Sequence, residues 1–146
     1  GKLTYTTSNK AVATVDAAGK VTVKGPGVAK ITVKAAATTD YKAASKTVTV
    51  TVAPKKQGIS LVNKIKKQLT IKWKKNTKAS GYQVVYSTNK KFTGKKTVRK
   101  AKTTTSYKIK GLKKGKKYYV KVRSYKTVNG KRIYGAYSTV KKATIK

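Results

Sequence analysis

The stretch YYVKVR at residues 118–123 decides the fold class because its apolar and charged side chains alternate. Tyr118, Val120 and Val122 fall on one phase, and Lys121 and Arg123 fall on the other. A period of two is typical of a strand with one face in a core and the other in water. The stretch therefore predicts a strand whose inward face is apolar and whose outward face is cationic.

The same alternation recurs on the N-terminal side of this stretch, in LTIKWK at residues 69–74 and in YQVVYS at residues 82–87. Trp73 lies on the apolar phase, so we predict that it is a core residue and not a platform for a ligand. No stretch has a helical period, and no apolar run approaches the roughly 20 residues of a membrane-spanning helix. The sequence therefore predicts an all-β protein built as two tandem small β-sandwiches, with no membrane span.

Punctuation by Pro54 and Gly58 predicts a linker at residues 54–58, between domains at 1–53 and 59–146. Asn129-Gly130 predicts a type I′ hairpin turn, because both of its central positions require positive φ. The predicted strands are 12–15, 21–24, 29–33, 47–52, 69–74, 82–87, 97–100, 106–110, 117–127 and 131–146, the last one broken.

The composition excludes several classes of function. The chain has 38 Lys and Arg against two acids, Asp16 and Asp40, and it contains no Cys or His. Disulfide chemistry, cofactor ligation and the usual zinc, haem and iron–sulfur sites lack their residues. Catalysis by His, Cys or paired carboxylates lacks its residues as well. We therefore predict no enzyme activity, no catalytic residue, no metal site and no cofactor.

The charge is concentrated after the linker, because residues 55–146 carry 30 of the 38 basic residues and neither acid. An asymmetry of this size points to a polyanionic partner. Only Arg99, Arg123 and Arg132 are arginines. Lysine is a flexible, hydrated point charge, whereas arginine reads planar targets, so the composition favours diffuse attraction over base-specific readout.

Candidate binding residues come from the lysine-rich turn before residue 118, from the outward phase of the 117–127 strand and from the residues after the hairpin turn. Tyr119 and Tyr125 share the outward phase with Lys121 and Arg123, so they are candidates for stacking on sugars or bases. The alternative is an ordinary strand surface on which lysine stems cover the rings. The predicted polyanion-binding residues are Lys113, Lys114, Lys116, Lys117, Lys121, Arg123, Lys131 and Arg132.

The first unit resembles the bacterial immunoglobulin-like domain, group 2, in Ser8-Asn9, residues 12–16, residues 19–21 and residues 27–33. That family has leading strands before this stretch, whereas here we expect none between Gly1 and Ser8. The resemblance therefore implies an N-terminally incomplete domain. Its unpaired edges are open to strand pairing with another chain.

The second unit resembles the fibronectin type III domain. Residues 69–73 and 81–86 match its second and third strands, and LKKGKKYYVKV at 112–122 fits Leu-x-x-Gly-x-x-Tyr-x-Val-x-Val, with Lys114 in place of the usual Pro. The resemblance implies that Tyr118 is the corner tyrosine, whose hydroxyl bonds to upstream backbone. Both families imply a bacterial extracellular or cell-surface location.

Three functions follow as hypotheses. The first is a non-catalytic surface module that binds an anionic polymer electrostatically, such as teichoic acid, an acidic glycan or, without sequence preference, nucleic acid. The second is a structural stalk or spacer repeat with no specific ligand. The third is a polycationic protein that carries nucleic acid or enters cells, because extreme positive charge promotes both.

Overall fold

The computed structural model describes residues 1–146 and contains strands but no helix, which confirms the predicted all-β class. The strands of the first unit are β1 (Leu3–Thr7), β2 (Ala13–Val15), β3 (Val21–Val23), β4 (Gly27–Ala35) and β5 (Ala44–Val52). Those of the second unit are β6 (Ile59–Val62), β7 (Leu69–Trp73), β8 (Gly81–Ser87), β9 (Lys96–Ala101), β10 (Ser106–Ile109), β11 (Lys117–Val128), β12 (Lys131–Tyr134) and β13 (Lys141–Thr144).

The first unit is a three-stranded sheet, ordered β1-β4-β5, beside the two-stranded β2–β3 hairpin. Its core consists of Val12, Ala13, Ala29 and Ile31. The expectation that no strand precedes Ser8 is wrong, because β1 pairs with β4 along its whole length. Backbone pairing, with little burial of side chains, forms this strand, and Leu3 stays half exposed. The outer edges of β1 and β5 have no partner strand in the sheet order, and pairing with another chain stays a prediction.

The second unit packs a three-stranded sheet, β10-β7-β6, against a larger one, β12-β11-β8-β9, in which β13 pairs with the first half of β11. The predicted broken strand at residues 131–146 is therefore β12 followed by β13. Trp73 packs against Tyr82, with ring centroids 5.3 Å apart. The buried residues of the sandwich core are Leu69, Ile71, Trp73, Tyr82, Val84, Tyr86, Ile109, Leu112, Tyr118, Val120, Val122 and Ile145.

Two local predictions about turns are tested by the backbone. Asn129 and Gly130 adopt φ of 48° and 75°, which confirms the positive φ values expected of a type I′ hairpin turn. The Tyr118 hydroxyl accepts the backbone N–H of Lys113 at 3.5 Å, so it contacts upstream backbone as expected, through a long hydrogen bond. In the same core, burial raises the pKa of Tyr86, and the nearby Tyr107 and Tyr118 act in the same direction.

The strand directions give the second unit two ends. Antiparallel pairing of β8 with β11 sets Gly81 opposite Tyr125 and Ser87 opposite Tyr119. The proximal end holds the linker, the loops at 74–80 and 102–105 and the turn at 129–130. The distal end holds the loops at 63–68, 88–95 and 110–116 and the last residues, 145–146. The distal loops bond to one another, because Lys67 N–H donates to the Lys146 carbonyl and Leu112 N–H donates to the Lys67 carbonyl.

Candidate polyanion-binding surface

The distal end gathers lysines from four separate segments of the chain. All of them are exposed, and both acids of the chain lie in the first unit. Backbone hydrogen bonds join three of these segments, 63–68, 110–116 and 145–146. The fourth segment, the 88–95 loop, lies at the same end, and its Thr88 lines a depression together with the 113–117 turn. The eleven lysines of this surface, called here the distal lysines, are Lys64, Lys66, Lys67, Lys90, Lys91, Lys95, Lys110, Lys113, Lys114, Lys116 and Lys146.

The turn between β10 and β11 is the centre of this surface. Gly111 and Gly115 adopt positive φ, so the chain can reverse direction tightly on each side of Lys113. Gly115 N–H donates to the Ile145 carbonyl at 2.8 Å, which ties the turn to the C-terminal residues. Lys117 is the first residue of β11 and continues the cationic surface along that strand.

A surface depression of about 590 Å³ opens beside this turn. Its lining residues are Thr88, Lys113, Lys116, Lys117, Tyr118 and Tyr119. Four of the predicted binding residues are thus brought together: three lysines and the half-exposed ring of Tyr119. Lys114 is exposed on the same turn but does not line the depression.

Lys121 and Arg123 belong to a different cluster, on the outward face of the larger sheet. The Lys121 ammonium lies 4.1 Å from the ring centroid of Phe92 and 4.3 Å from that of Tyr137. The Arg123 guanidinium lies 3.9 Å from the ring centroid of Tyr134 and 4.3 Å from that of Tyr137. These distances are those of cation–π contacts, so both cations already have intramolecular partners.

The side-chain amide of Gln83 lies beneath this cluster. Arg123 Nε donates to Gln83 Oε1 at 2.7 Å, and the Tyr137 hydroxyl donates to the same oxygen at 3.1 Å. Gln83 and its neighbour Val85 are buried although they point away from the sandwich core. The cation–aromatic cluster therefore shields the outward face of β8 from water.

Tyr125 and the two cations after the hairpin turn lie toward the proximal end. The Tyr125 ring meets the Tyr134 ring edge-on at 5.7 Å, and Arg132 lies 5.5 Å from the Tyr125 centroid. Lys131 is exposed. The predicted set thus divides among a distal group, a central face and a hairpin, and of the two candidate stacking rings only Tyr119 lies beside the lysine-rich turn.

Replacing Arg123 by Lys is expected to lower the free energy of unfolding by about 1–2 kcal/mol, because a lysine keeps the charge but not the planar contact or the Nε bond to Gln83. Chemical denaturation measures this change. Arg99→Lys is the matched control, since Arg99 is exposed on β9, on the other side of β8 from Arg123, and it should change stability by less than about 0.5 kcal/mol. Equal losses in the two variants would contradict a structural role for Arg123.

The other distal lysines were not among the predicted binding residues. Lys64, Lys66 and Lys67 lie in one lysine-rich run, and Lys90, Lys91 and Lys95 lie in others. Each run alone has the composition of an ordinary solvated turn. Only the strand directions show that these turns share an end. The sequence could have revealed this if each lysine-rich run had been assigned to a turn and the alternating directions of the predicted strands had been followed along the sandwich.

The structure contains no helix long and apolar enough to span a membrane. No three side chains of the types His, Cys, Asp and Glu come together as a metal site requires.

Comparison with known families matches both units. The profile of the intimin immunoglobulin-like domain matches residues 1–38, and that of the fibronectin type III domain matches residues 52–140. The predicted order, immunoglobulin-like and then fibronectin type III, is confirmed. No curated protein sequence matches the chain significantly.

Solved structures share the fold at low sequence identity. The sixth fibronectin type III domain of human fibronectin type III domain containing protein 3 is 16% identical, with a TM-score of 0.53 over 66% of this chain and 88% of that one. The FN1–FN3 domains of chicken CNTN1 are 18% identical, with a TM-score of 0.54 over 87% of this chain and 47% of that one. A computationally redesigned β-sandwich protein is 14% identical, with a TM-score of 0.52 over 62% of this chain and 93% of that one.

Proposed function

Because this chain belongs to the fibronectin type III family and carries an intimin-type immunoglobulin-like unit before that domain, we propose that it is a surface module that binds anionic polymers through its distal lysines. Domains of these two kinds are typical of extracellular or surface proteins and are typically non-catalytic. A surface or stalk module is therefore the general function. The polymer and the binding surface are the specific proposal.

One observation carries the proposal: eleven exposed lysines share one end of a domain that contains no acid. Cations gathered in this way create a positive potential that attracts a polyanion and releases its condensed counterions. Lysines predominate, and they contact phosphate, sulfate and carboxylate groups alike, without demanding planar geometry. This favours teichoic acid, acidic glycans and nucleic acid as a class over any base-specific target.

The depression beside the Lys113–Lys117 turn adds a place for one unit of the polymer. A sugar or base that stacks on Tyr119 has three ammonium groups around it to hold an attached anionic group. Lys121, Arg123, Lys131 and Arg132 lie away from this depression and contribute through the long-range field. The proposed site is thus an extended cationic surface for the polymer, with one depression that holds a single polymer unit.

Replacing Lys113, Lys116 and Lys117 by Gln, called here the distal variant, is expected to weaken heparin binding at least about tenfold at about 100 mM salt. Binding gains free energy from the counterions that each cationic contact releases, and three contacts are removed. The matched sheet variant replaces Lys72, Lys102 and Lys108 by Gln. These three residues are exposed and lie outside the distal loops. Isothermal titration calorimetry with heparin, teichoic acid and duplex DNA measures the affinities.

The sheet variant also loses three positive charges, but it should weaken binding less than about threefold, because its three lysines lie outside the proposed binding surface. Equal losses in the two variants would contradict a localised surface. Circular dichroism of both variants shows that the comparison is between folded chains.

A stalk without a specific ligand is the second candidate, and contacts between the units favour it. Lys78 Nζ donates to the Lys24 carbonyl at 2.6 Å, and the Ser124 hydroxyl donates to the linker carbonyl of Lys55 at 3.2 Å. Such contacts join neighbouring units, as a spacer requires. A pure stalk predicts the same affinity for all polyanions of equal charge density, and no effect of Tyr119→Ala on any of them.

A further inference from the structure

A cleft of about 560 Å³ separates the two units at the proximal end, far from the distal lysines. Three segments line it: residues 23–26 before β4, the linker, and residues 74–78 between β7 and β8. Its volume lies in the range of small-molecule sites, which is roughly 300–1,000 Å³. The cleft is therefore large enough for a compact ligand.

Lysines dominate the polar lining of the cleft, and no acid is among its residues. The six that line it are Lys24, Lys55, Lys56, Lys74, Lys75 and Lys78. Like charges that face one another across a concavity repel, and concave walls strengthen the positive potential between them. An anion in the cleft would remove this repulsion, whereas an empty cleft pushes its two walls apart.

Hydrogen bonds anchor the second unit's wall of the cleft, residues 74–78, to the sandwich core. Asn76 N–H donates to the hydroxyl of the buried Tyr82 at 2.6 Å, and Asn76 Oδ1 accepts the backbone N–H of Lys78 at 3.1 Å. The loop that carries Lys74 and Lys75 is therefore fixed before any ligand arrives. Preorganised donors lower the cost of binding, because little chain order is gained on association.

Lys78 connects the two walls. Its side chain crosses to the first unit, where its ammonium donates to the Lys24 carbonyl at 2.6 Å. This bond is compatible with an anion, since an ammonium group has three donors and only one is used here. A ligand bound in the cleft thus contacts residues of both units.

We propose that this cleft binds a compact, multiply charged anion of the oligophosphate class and that the anion fixes the orientation of the two units. Such a ligand matches a concave site lined by six lysines, and each of its phosphates accepts several hydrogen bonds. This site is distinct from the distal lysines and goes beyond polymer binding, because its occupant controls the geometry of the chain.

Inorganic tripolyphosphate is the probe, and the cleft variant replaces Lys55, Lys74 and Lys75 by Gln while Lys78 keeps its bond to the first unit. Tripolyphosphate affinity at about 150 mM salt should fall at least about tenfold in the cleft variant and less than about threefold in the distal and sheet variants. Calorimetry measures the affinity, and circular dichroism shows that each variant is folded.

Two dyes report the orientation of the units. The chain has no native cysteine, so Thr39→Cys in the first unit and Thr103→Cys in the second accept labels at exposed positions. In single-molecule energy-transfer measurements, tripolyphosphate should narrow the distribution of transfer efficiencies in the unsubstituted background and in the distal variant. In the cleft variant the distribution should stay broad. Equal affinity losses in all variants, or no narrowing in the unsubstituted background, would overturn the proposal.

The outcome does not depend on polymer binding. The cleft variant should bind heparin as the sheet variant does, because both lack three lysines outside the distal surface. If tripolyphosphate fails to narrow the distribution of transfer efficiencies while the distal variant still loses more heparin affinity than the sheet variant, the cleft alone is rejected. If tripolyphosphate narrows that distribution but the distal and sheet variants lose equal heparin affinity, the distal surface alone is rejected.

Discussion

The affinity of the chain for duplex DNA should fall about a thousandfold between about 50 and 200 mM salt. Each phosphate that a lysine neutralises contributes a slope of about −0.9 to log K against log salt. The distal surface offers eleven lysines on four separate segments of the chain, and one duplex can contact only part of them. Contact with about six phosphates gives a slope near −5, which corresponds to this loss.

Fluorescence anisotropy with a labelled duplex measures the slope over a salt series. The distal variant should reduce its magnitude by about two to three, since three contacts are lost, and the sheet variant should leave it nearly unchanged. A weak salt dependence combined with tight binding would contradict electrostatic adhesion and indicate a shaped pocket. Sequence-independent affinity across unrelated duplexes is expected from the same mechanism.

Local periodicity was sufficient to predict most of the second domain. Trp73, Tyr82 and Val120 lie in the core as their alternation indicated, and Asn129-Gly130 forms the expected turn. Each of these positions is decided by neighbours within a few residues, where the period of two and the φ requirement of a turn act directly.

Two short edge strands, β1 and β6, were missed because their sequence patterns are weak. β1 has Leu3, Tyr5 and Thr7 on one phase, but no linker or turn marks its start, and its pairing with β4 joins residues 24 to 32 positions apart. β6 is four residues long and directly follows the linker. Short edge strands carry weak patterns, because their stability depends on pairing with a partner strand whose position the sequence does not give.

The candidate surface needed tertiary information for the same reason. Arg123 lies on the predicted outward phase, but its contacts with Tyr134 and Tyr137 depend on how the chain returns along β11 after the hairpin. The distal lysines come from four segments between residues 64 and 146, and only the antiparallel order of the strands places them together. Composition predicted that the domain is cationic, and topology decides where the cations meet.

Trp73→Ala is expected to lower the free energy of unfolding by about 3–5 kcal/mol, the largest stability effect of any substitution considered. The side chain is buried among the core residues and packs on Tyr82, so its removal leaves a cavity that β-sheet side chains cannot fill. Chemical denaturation at a fixed salt concentration measures the change. A loss below about 1 kcal/mol would contradict a core role for Trp73.

Trp73→Phe is the matched control. The indole Nε1 is buried without a hydrogen-bond partner, and phenylalanine removes this unpaired donor while keeping most of the aromatic contact. The cost of the smaller ring is therefore partly offset, and we expect a loss of less than about 1.5 kcal/mol. A loss as large as that of the alanine variant would contradict this expectation, because it would mean that the retained aromatic ring contributes nothing and that the indole itself is required.

The alanine variant also separates the fold from the charge, because it keeps the full net charge of +36. At a temperature where it is unfolded and the unsubstituted chain is folded, its flexible backbone can bring more lysines to one duplex. Its salt slope should then be steeper than that of the folded chain, in which the proposed surface brings only part of the distal lysines to one duplex. Equal slopes would mean that folding does not select which cations reach the polymer, and the localised surface would have to be abandoned.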